Sequence, residues 1–230
     1  MRAESFLPEN LPLLRGLGPT VRTALLRKAV VHTVAAGTVL LDQGALPNFQ
    51  HIVLSGSAHL FGRSSEGREV LIEIVQPGDL VIPAAVVTAS PYLMQARVLE
   101  QSRFLLIQAD EFRAMLMAEP ALAQAMIMGL AGQFRRMVRQ IKNLKLRNST
   151  QRVGCYILAL ARRQGNAAEV VLPYEKNLIA SELGMTGESF SRTLSALQHH
   201  GISVDRDTIS ITDAARLAAI SGPDPLIDAD

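Results

Sequence analysis

The sequence predicts an α+β chain: an antiparallel β sandwich or barrel, then a long helix, then a winged helix-turn-helix. Three observations carry this reading. Brief β-rich runs separated by Gly and Pro fill residues 30–107. After Pro120 the apolar residues switch to a helical period. The remainder runs helix, strand, helix, three-residue turn, helix and hairpin, the order of a winged helix-turn-helix. At 230 residues the chain holds one large or two ordinary domains and can bury a core without staples.

The opening segment reads as a short helical lead-in. Leu7, Leu11, Leu14, Val21, Leu25 and Leu26 recur at helical spacing, and Pro8, Pro12 and Pro19 cut the pieces short. Strands follow at 30–34, 38–41, 51–55, 57–61, 69–75 and 103–107, with turns at Gly37, Gly44, Gly56, Gly67 and Pro77-Gly78. In Glu69–Val75 the alternation is imperfect, which predicts cover on both faces. From Pro120 a helix runs to about 147, about 40 Å long at 1.5 Å per residue. Along it Ile127, Leu130, Phe134, Met137, Ile141 and Leu144 are spaced 3, 4, 3, 4 and 3. This is the narrow stripe of a coiled-coil seam, which favours a parallel dimer over a helix packed only on its own barrel. Then come a helix over 152–165, a strand at Glu169–Pro173, a helix over 176–184, a turn at 185–187 and a helix over 188–201. A hairpin over 202–211 turns at Asp205-Arg206-Asp207.

The net charge is only +2, yet the charges are segregated. Between Glu119 and Glu169 there is no acidic residue, while Arg135, Arg136, Arg139, Lys142, Lys145, Arg147, Arg152, Arg162 and Arg163 all fall there. An unmixed block repels itself unless a polyanion relieves it, so DNA phosphate is the expected partner. Lys176 and Arg152 are the expected phosphate donors beside the helix-turn-helix, with Thr186 and Ser189 as phosphate donors or caps, and His199 and His200 as carbonyl caps at the helix end. On the second helix Glu188, Ser191 and Arg192 stand at i, i+3 and i+4 and share one face at its N-terminus. The bland alternative is a surface capping pair, Glu188 near the dipole and Arg192 its i+4 partner.

The single cysteine, Cys155, excludes an internal disulfide, a Cys-ligated iron–sulfur cluster and a zinc finger. No P-loop, nucleophile elbow or H-E-x-x-H occurs, and the barrel histidines lack the clustered spacing of a metal enzyme, so neither an enzyme nor a metal site is expected. No stretch reaches about eighteen uninterrupted apolar residues, and the start lacks a signal-peptide pattern. The chain is expected to be cytoplasmic, without a membrane partner.

Several motifs in order then resemble a known family: G37-TVLLDQ-G44, HIVLS-G56, P77-G78-D79 and LIASELGMTGESFSRTLSALQHHGI at 178–202. Over roughly residues 10–215 the chain resembles the Crp/Fnr family of bacterial transcription regulators. The resemblance implies a cyclic-nucleotide-binding-type β-roll (jelly roll) with N-terminal helices over 1–120, a dimerisation helix over 121–148, a winged helix-turn-helix over 149–222 and a tail over 223–230. It also implies double-stranded DNA, RNA polymerase and a second copy of the chain as partners. The E-x-x-S-R pattern of Glu188, Ser191 and Arg192 is similar to that of the Fnr-type branch, associated with TTGAT-like half-sites. Arg192 and Glu188 would read a G·C pair, and Ser191 would assist at a neighbouring thymine.

The same resemblance bears on what is sensed. Where the cyclic AMP branch carries a Gly-Glu pair and an Arg-Ser pair, this chain has Ile82-Pro83 and Tyr92-Leu93, and Met137 and Val138 replace polar helix contacts. A cyclic phosphate needs charge-assisted bonds, and no basic residue follows until Arg97, so no cyclic AMP binding is expected. An apolar effector pocket remains, built from the run 81–87 with Ile82 and Pro83, from Tyr92, Leu93 and Met94, and from Met137 and Val138 of the long helix. It is similar to the nitric-oxide-responsive Dnr/NnrR-like subgroup that controls denitrification, for which haem b is the implied sensor. His32, His51 and His59 are the candidate axial ligands. An apolar organic ligand, or none, is the competing reading, as is a β-roll acting as an interaction module.

Overall fold

The computed structural model describes residues 11–228. Leu7 and Pro8 of the expected lead-in, and the last two residues of the expected tail, lie outside them. The chain divides into two compact units that meet in sequence between Gln133 and Phe134.

The first unit opens with a short 3-10 turn at Pro12–Leu14 and helix α1 (Pro19–Arg27), each begun by a proline. Eight strands follow: β1 (Ala29–Val34), β2 (Val39–Leu41), β3 (Phe49–Ser55), β4 (Ala58–Arg63), β5 (Glu69–Val75), β6 (Leu80–Val81), β7 (Gln95–Arg97) and β8 (Ser102–Gln108). Helix α2 (Pro83–Thr88) interrupts them, and α3 (Ala109–Ala118) follows them. Two four-stranded antiparallel sheets result, ordered β1-β8-β3-β6 and β2-β7-β4-β5. Between them lies one core, with Val34, Val53, Val81 and Phe104 from the first sheet against Leu41, Leu60, Val75 and Ala96 from the second. The first sheet's other face is covered too. Ile52, Leu54, Leu105 and Ile107 pack against Leu25 and Leu26 of α1, Phe112 of α3, and Leu122 and Met126.

The double cover explains a correction. The sequence predicts cover on both faces of Glu69–Val75, but there only Leu71 and Val75 are buried. That strand is an edge of the outer sheet, and it is β3 that is buried on both faces, sandwiched between core and helices. The roll also needs one glycine for close approach. Gly56 sits at φ +72, and a Cβ there would lie 2.9 Å from the Ser102 Cα.

Helix α4 (Pro120–Leu146) runs from the first unit into the second. Leu122 and Met126 are buried, and Leu130 packs partly into the first unit's core. The other stripe residues, Ile127, Phe134, Met137, Ile141 and Leu144, are exposed. The expected seam is therefore an outward-facing stripe, apart from Leu130.

The second unit continues with α5 (Ser149–Arg163), which begins in a capping box: Asn148 Oδ1 accepts from the Gln151 amide (2.9 Å) and Gln151 Oε1 from the Asn148 amide (3.0 Å). Then come β9 (Glu169–Val171), α6 (Lys176–Glu182), α7 (Gly187–Leu197), β10 (Ile202–Asp205), β11 (Thr208–Ile211), α8 (Ala214–Ser221) and α9 (Pro225–Asp228). The hairpin β10-β11 pairs with β9 in a three-stranded wing sheet. Val153, Ile157, Ile179, Phe190, Leu194, Leu197, Ile209 and Leu217 form its core. Helix α5 approaches α8 so closely that a Cβ on Gly154 would fall 1.9 Å from Ser221 Oγ.

Candidate nucleic-acid interface and effector cleft

Helix α7 has one apolar face, Phe190, Thr193, Leu194 and Leu197, which is buried in the unit's core. The remaining positions must face solvent, and there Glu188, Ser191 and Arg192 stand exposed on its first turns. Thr186 is the N-cap; its Oγ1 accepts from the Ser189 amide at 3.2 Å, so Thr186 and Ser189 are tied into the helix start. Arg192 forms an i, i+4 ion pair with Glu188, both side chains well exposed. An ion pair this open contributes little and separates readily when another partner appears. The helix passes into a 3-10 turn at Gln198–His200, and Gly201, at φ 96, ends it. Arg206 stands exposed at the tip of the wing, with a left-handed φ of 51.

The cationic block is not all on the surface. Arg147 is buried, and its fork meets the Asp228 carboxylate, Nη1–Oδ1 2.7 Å and Nη2–Oδ2 2.5 Å. Burial alone would raise the Asp228 carboxyl, but hydrogen bonds from Arg147 and from the Asp224 amide outweigh it and hold the pKa below its ordinary value. Arg162 donates to the Asp228 carbonyl (2.9 Å), and Lys142 lies 4.0 Å from Asp224. The expected tail is thus folded back through α9 onto cations of the block. Arg152 is half-buried, and its Nη1 donates to the Arg147 carbonyl at 2.8 Å. Lys176, the first residue of α6, is half-buried. Arg135, Arg136 and Lys145 remain exposed on α4. The lone thiol, Cys155, is buried, and burial pushes its pKa up to about 11.

In the β-roll the expected effector residues separate. Ile82, Pro83 and Tyr92 are buried and Met94 packs partly against the inter-sheet core, whereas Leu93 is 82% exposed. Tyr92 and Leu93 are neighbours in the loop before β7, one packed inward and the other left in solvent. Met137 and Val138 are exposed on α4. Both ends of α2 hold non-glycine residues in left-handed backbone, Ile82 at φ 42 and Ala89 at φ 50. For β-branched Ile82 this is a strained conformation that only tight surroundings maintain.

The histidines also differ. His32 is exposed on β1. His59 is fully buried, with Nε2 2.9 Å from Ser57 Oγ, and Ser57 Oγ donates to Glu100 at 2.9 Å. Desolvation lowers the His59 pKa against the opposing pull of Glu100. His51 is buried, with its ring edge-on to Phe49 and Phe104 at 6.3 Å each. Desolvation pushes its pKa down to about 4, outweighing polar contact with the Phe49 backbone, and the nearby His32 adds to the lowering. His51 and Tyr92 line one cleft of about 210 Å3, with Leu40, Leu41, Leu46 and Phe49. The Gly44 amide donates to the Tyr92 carbonyl (2.8 Å), and the Tyr92 amide to the Ala45 carbonyl (2.9 Å), which fixes the cleft's loop. Sequence reasoning placed His51 and Tyr92 in separate lists because they lie in distant segments. Among the described residues no group of three or more His, Cys, Asp or Glu could hold a metal ion, and no single helix is long and apolar enough to cross a membrane.

A β-roll joined through a long helix to a winged helix-turn-helix defines a class, the two-domain DNA-binding transcription regulators. Comparison with known proteins narrows it. Residues 31–119 match the cyclic nucleotide-binding domain family and residues 151–220 the Crp-like helix-turn-helix domain. The chain is 30% identical over 190 residues to the anaerobic regulatory protein of Pasteurella multocida, covering 80% of this chain and 69% of that one. It is 24% identical over 211 residues to the CRP-like cAMP-activated global transcriptional regulator of Mycobacterium tuberculosis, covering 90% of this chain and 94% of the relative. The crystal structure of DNR from Pseudomonas aeruginosa is similar over 96% of this chain and 98% of its own, with 25% identity and a TM-score of 0.51. The chain belongs to the Crp/Fnr family of transcription regulators. Regulators of this family bind DNA and act as dimers, and the family is not one of enzymes.

Proposed function

We propose that this chain is a homodimeric regulator that reads TTGAT-like palindromic half-sites through α7 and answers an effector other than cyclic AMP. The observation that carries the DNA reading is the exposed triplet Glu188, Ser191 and Arg192 on one face of a capped helix. On DNA, Arg192 would leave Glu188 and grip guanine O6 and N7, Glu188 would accept from cytosine N4, and Ser191 would contact a neighbouring thymine. Arg135, Arg136 and Lys145 suit the phosphate backbone. The exposed stripe Ile127, Phe134, Met137, Ile141 and Leu144 suits a parallel partner helix, which would set two recognition helices about 34 Å apart. RNA polymerase is the protein partner such a regulator serves. A shift in the paired helices would alter that spacing, so an effector that binds one arrangement better would switch DNA affinity.

The Mycobacterium tuberculosis relative is cAMP-activated by name, but this chain lacks the chemistry for the cyclic phosphate. Tyr92 is buried where a cation would be needed, and Leu93 points outward. Haem-mediated nitric oxide sensing, with its denitrification role, draws only on the subgroup resemblance. Among the candidate ligands His32 is exposed, His59 is engaged by Ser57, and His51 faces a cleft of about 210 Å3, below the range of pockets for drug-sized ligands. The residues do not fit a haem, and no step is routed through one.

Fluorescence anisotropy on a TTGAT-N4-ATCAA duplex tests the DNA reading. Binding at least a hundredfold tighter than to a scrambled duplex at the same salt is expected; equal binding to both would overturn it.

A further inference from the structure

The exposed face of α7 has a gap at its start. Positions 187, 188, 191 and 192 form one patch there, because 187 neighbours 191 and 188 neighbours 192 at i, i+4. Three of them hold Glu188, Ser191 and Arg192; the fourth is Gly187, the first residue of the helix. Glycine is a poor helix former, and Gly187 is not in left-handed backbone, so its own conformation does not call for one. The reason lies on the neighbouring helix. A Cβ on Gly187 would overlap the Oδ1 of Asn177, the second residue of α6, and would lie 3.1 Å from its Cγ. The Asn177 amide thus fills the place that a side chain at 187 would take, and Asn177 is exposed.

We propose that Asn177 is a fourth base-reading residue, lent to the recognition surface by α6, and that it reads the adenine of an A·T pair in the half-site. A side-chain amide carries an acceptor and a donor side by side. In the major groove these match adenine, Oδ1 accepting from N6 and Nδ2 donating to N7. The strong readers of the triplet cannot do this, since a carboxylate only accepts and a guanidinium only donates. Glu188 and Arg192 therefore suit a G·C pair, and the hydroxyl of Ser191 can serve any base. Every pair of a TTGAT half-site but one is A·T, so such a site needs the reader that the triplet lacks. Gly187 is the condition for this arrangement, because any larger residue there would push the amide out of the patch.

The assignment rests on the reading of α7 as the base-reading helix, and the two fail separately. Fluorescence anisotropy of the full chain at one salt concentration compares the TTGAT-N4-ATCAA duplex, a scrambled duplex, and duplexes in which one pair of one half-site is exchanged at a time. Asn177→Ala should abolish the preference at one A·T pair, worth about fivefold or more, and keep the preference at the G·C pair. Gly187→Ala leaves Asn177 in the chain but displaces its amide, so it should lose the same preference. Alanine is the better helix former, so this variant should show no fall in Tm. The double variant should lose no more than either single one, because both remove one contact. An equal loss on all duplexes, the scrambled one included, would make Asn177 a phosphate contact and overturn the proposal. So would full wild-type discrimination in Asn177→Ala or in Gly187→Ala. Wild-type protein that binds the scrambled duplex as tightly as the palindrome would instead overturn base reading by α7, and this assignment with it.

Discussion

The recognition helix and the interior of the β-roll hold their polar side chains in opposite ways. On α7, Glu188 and Arg192 are exposed and paired with each other, a contact that water already screens and that DNA can replace at little cost. In the roll, His51 and Tyr92 are buried, and burial keeps both uncharged. Burial pushes the Tyr92 hydroxyl up to about 12, in the direction opposite to His51, because desolvation penalises the charged form of each. The first arrangement suits reading a charged polymer; the second keeps these groups away from solvent.

The contrast can be broken at several places. The largest effect is expected at the stripe on α4. Phe134 is exposed, so Phe134→Glu should leave both units folded while sedimentation shows a monomer. Losing the second half-site should weaken palindrome binding by roughly a hundredfold. Leu130 is a poorer choice, since it also packs into the first unit's core.

The roll should lose stability as pH falls. His51 has its folded-state pKa lowered from 6.5 to about 4, so the unfolded chain binds the proton first as pH falls. Its contribution is complete above 6.5 and lost as pH drops to 4, a change of about 3 kcal/mol at 1.36 kcal/mol per unit. His59 is shifted in the same direction. Urea unfolding of the roll at pH 7.5 and 4.5 measures the change, and His51→Leu should flatten it.

A somewhat smaller loss is expected where the chain's end folds back. Asp228→Asn strips the buried Arg147 guanidinium of its carboxylate and should destabilise the second unit by about 2 kcal/mol, read by thermal unfolding. Smallest is the cap: Thr186→Ala removes the acceptor for the Ser189 amide, at about 1 kcal/mol.

What the sequence disclosed follows from how local each signal is. The three candidate positions of α7 sit within five residues on one helix, so their spacing alone placed them on a common face. Strands of six or seven residues such as β3 and β8 carry enough period to be seen, whereas β6 with two and β7 with three do not. Helix α3 continues directly from β8, with no turn residue to mark the change. Helix α8 was not read from the sequence, although Asp213 caps it, its carboxylate accepting from the Arg216 amide at 2.9 Å. The cleft joins β2, β3 and the distant Tyr92, and nothing in any one segment announces it. The Arg147–Asp228 pair spans 81 positions, so the cationic block looked uniformly available when part of it was already neutralised from within.

The most direct test of the central claim is the affinity of Arg192→Ala for the TTGAT-N4-ATCAA duplex and for a scrambled duplex at one salt concentration. Base reading by Arg192 requires a loss of about 1–3 kcal/mol on the palindrome and almost none on the scrambled sequence. An equal loss on both would make Arg192 a phosphate contact and contradict the account.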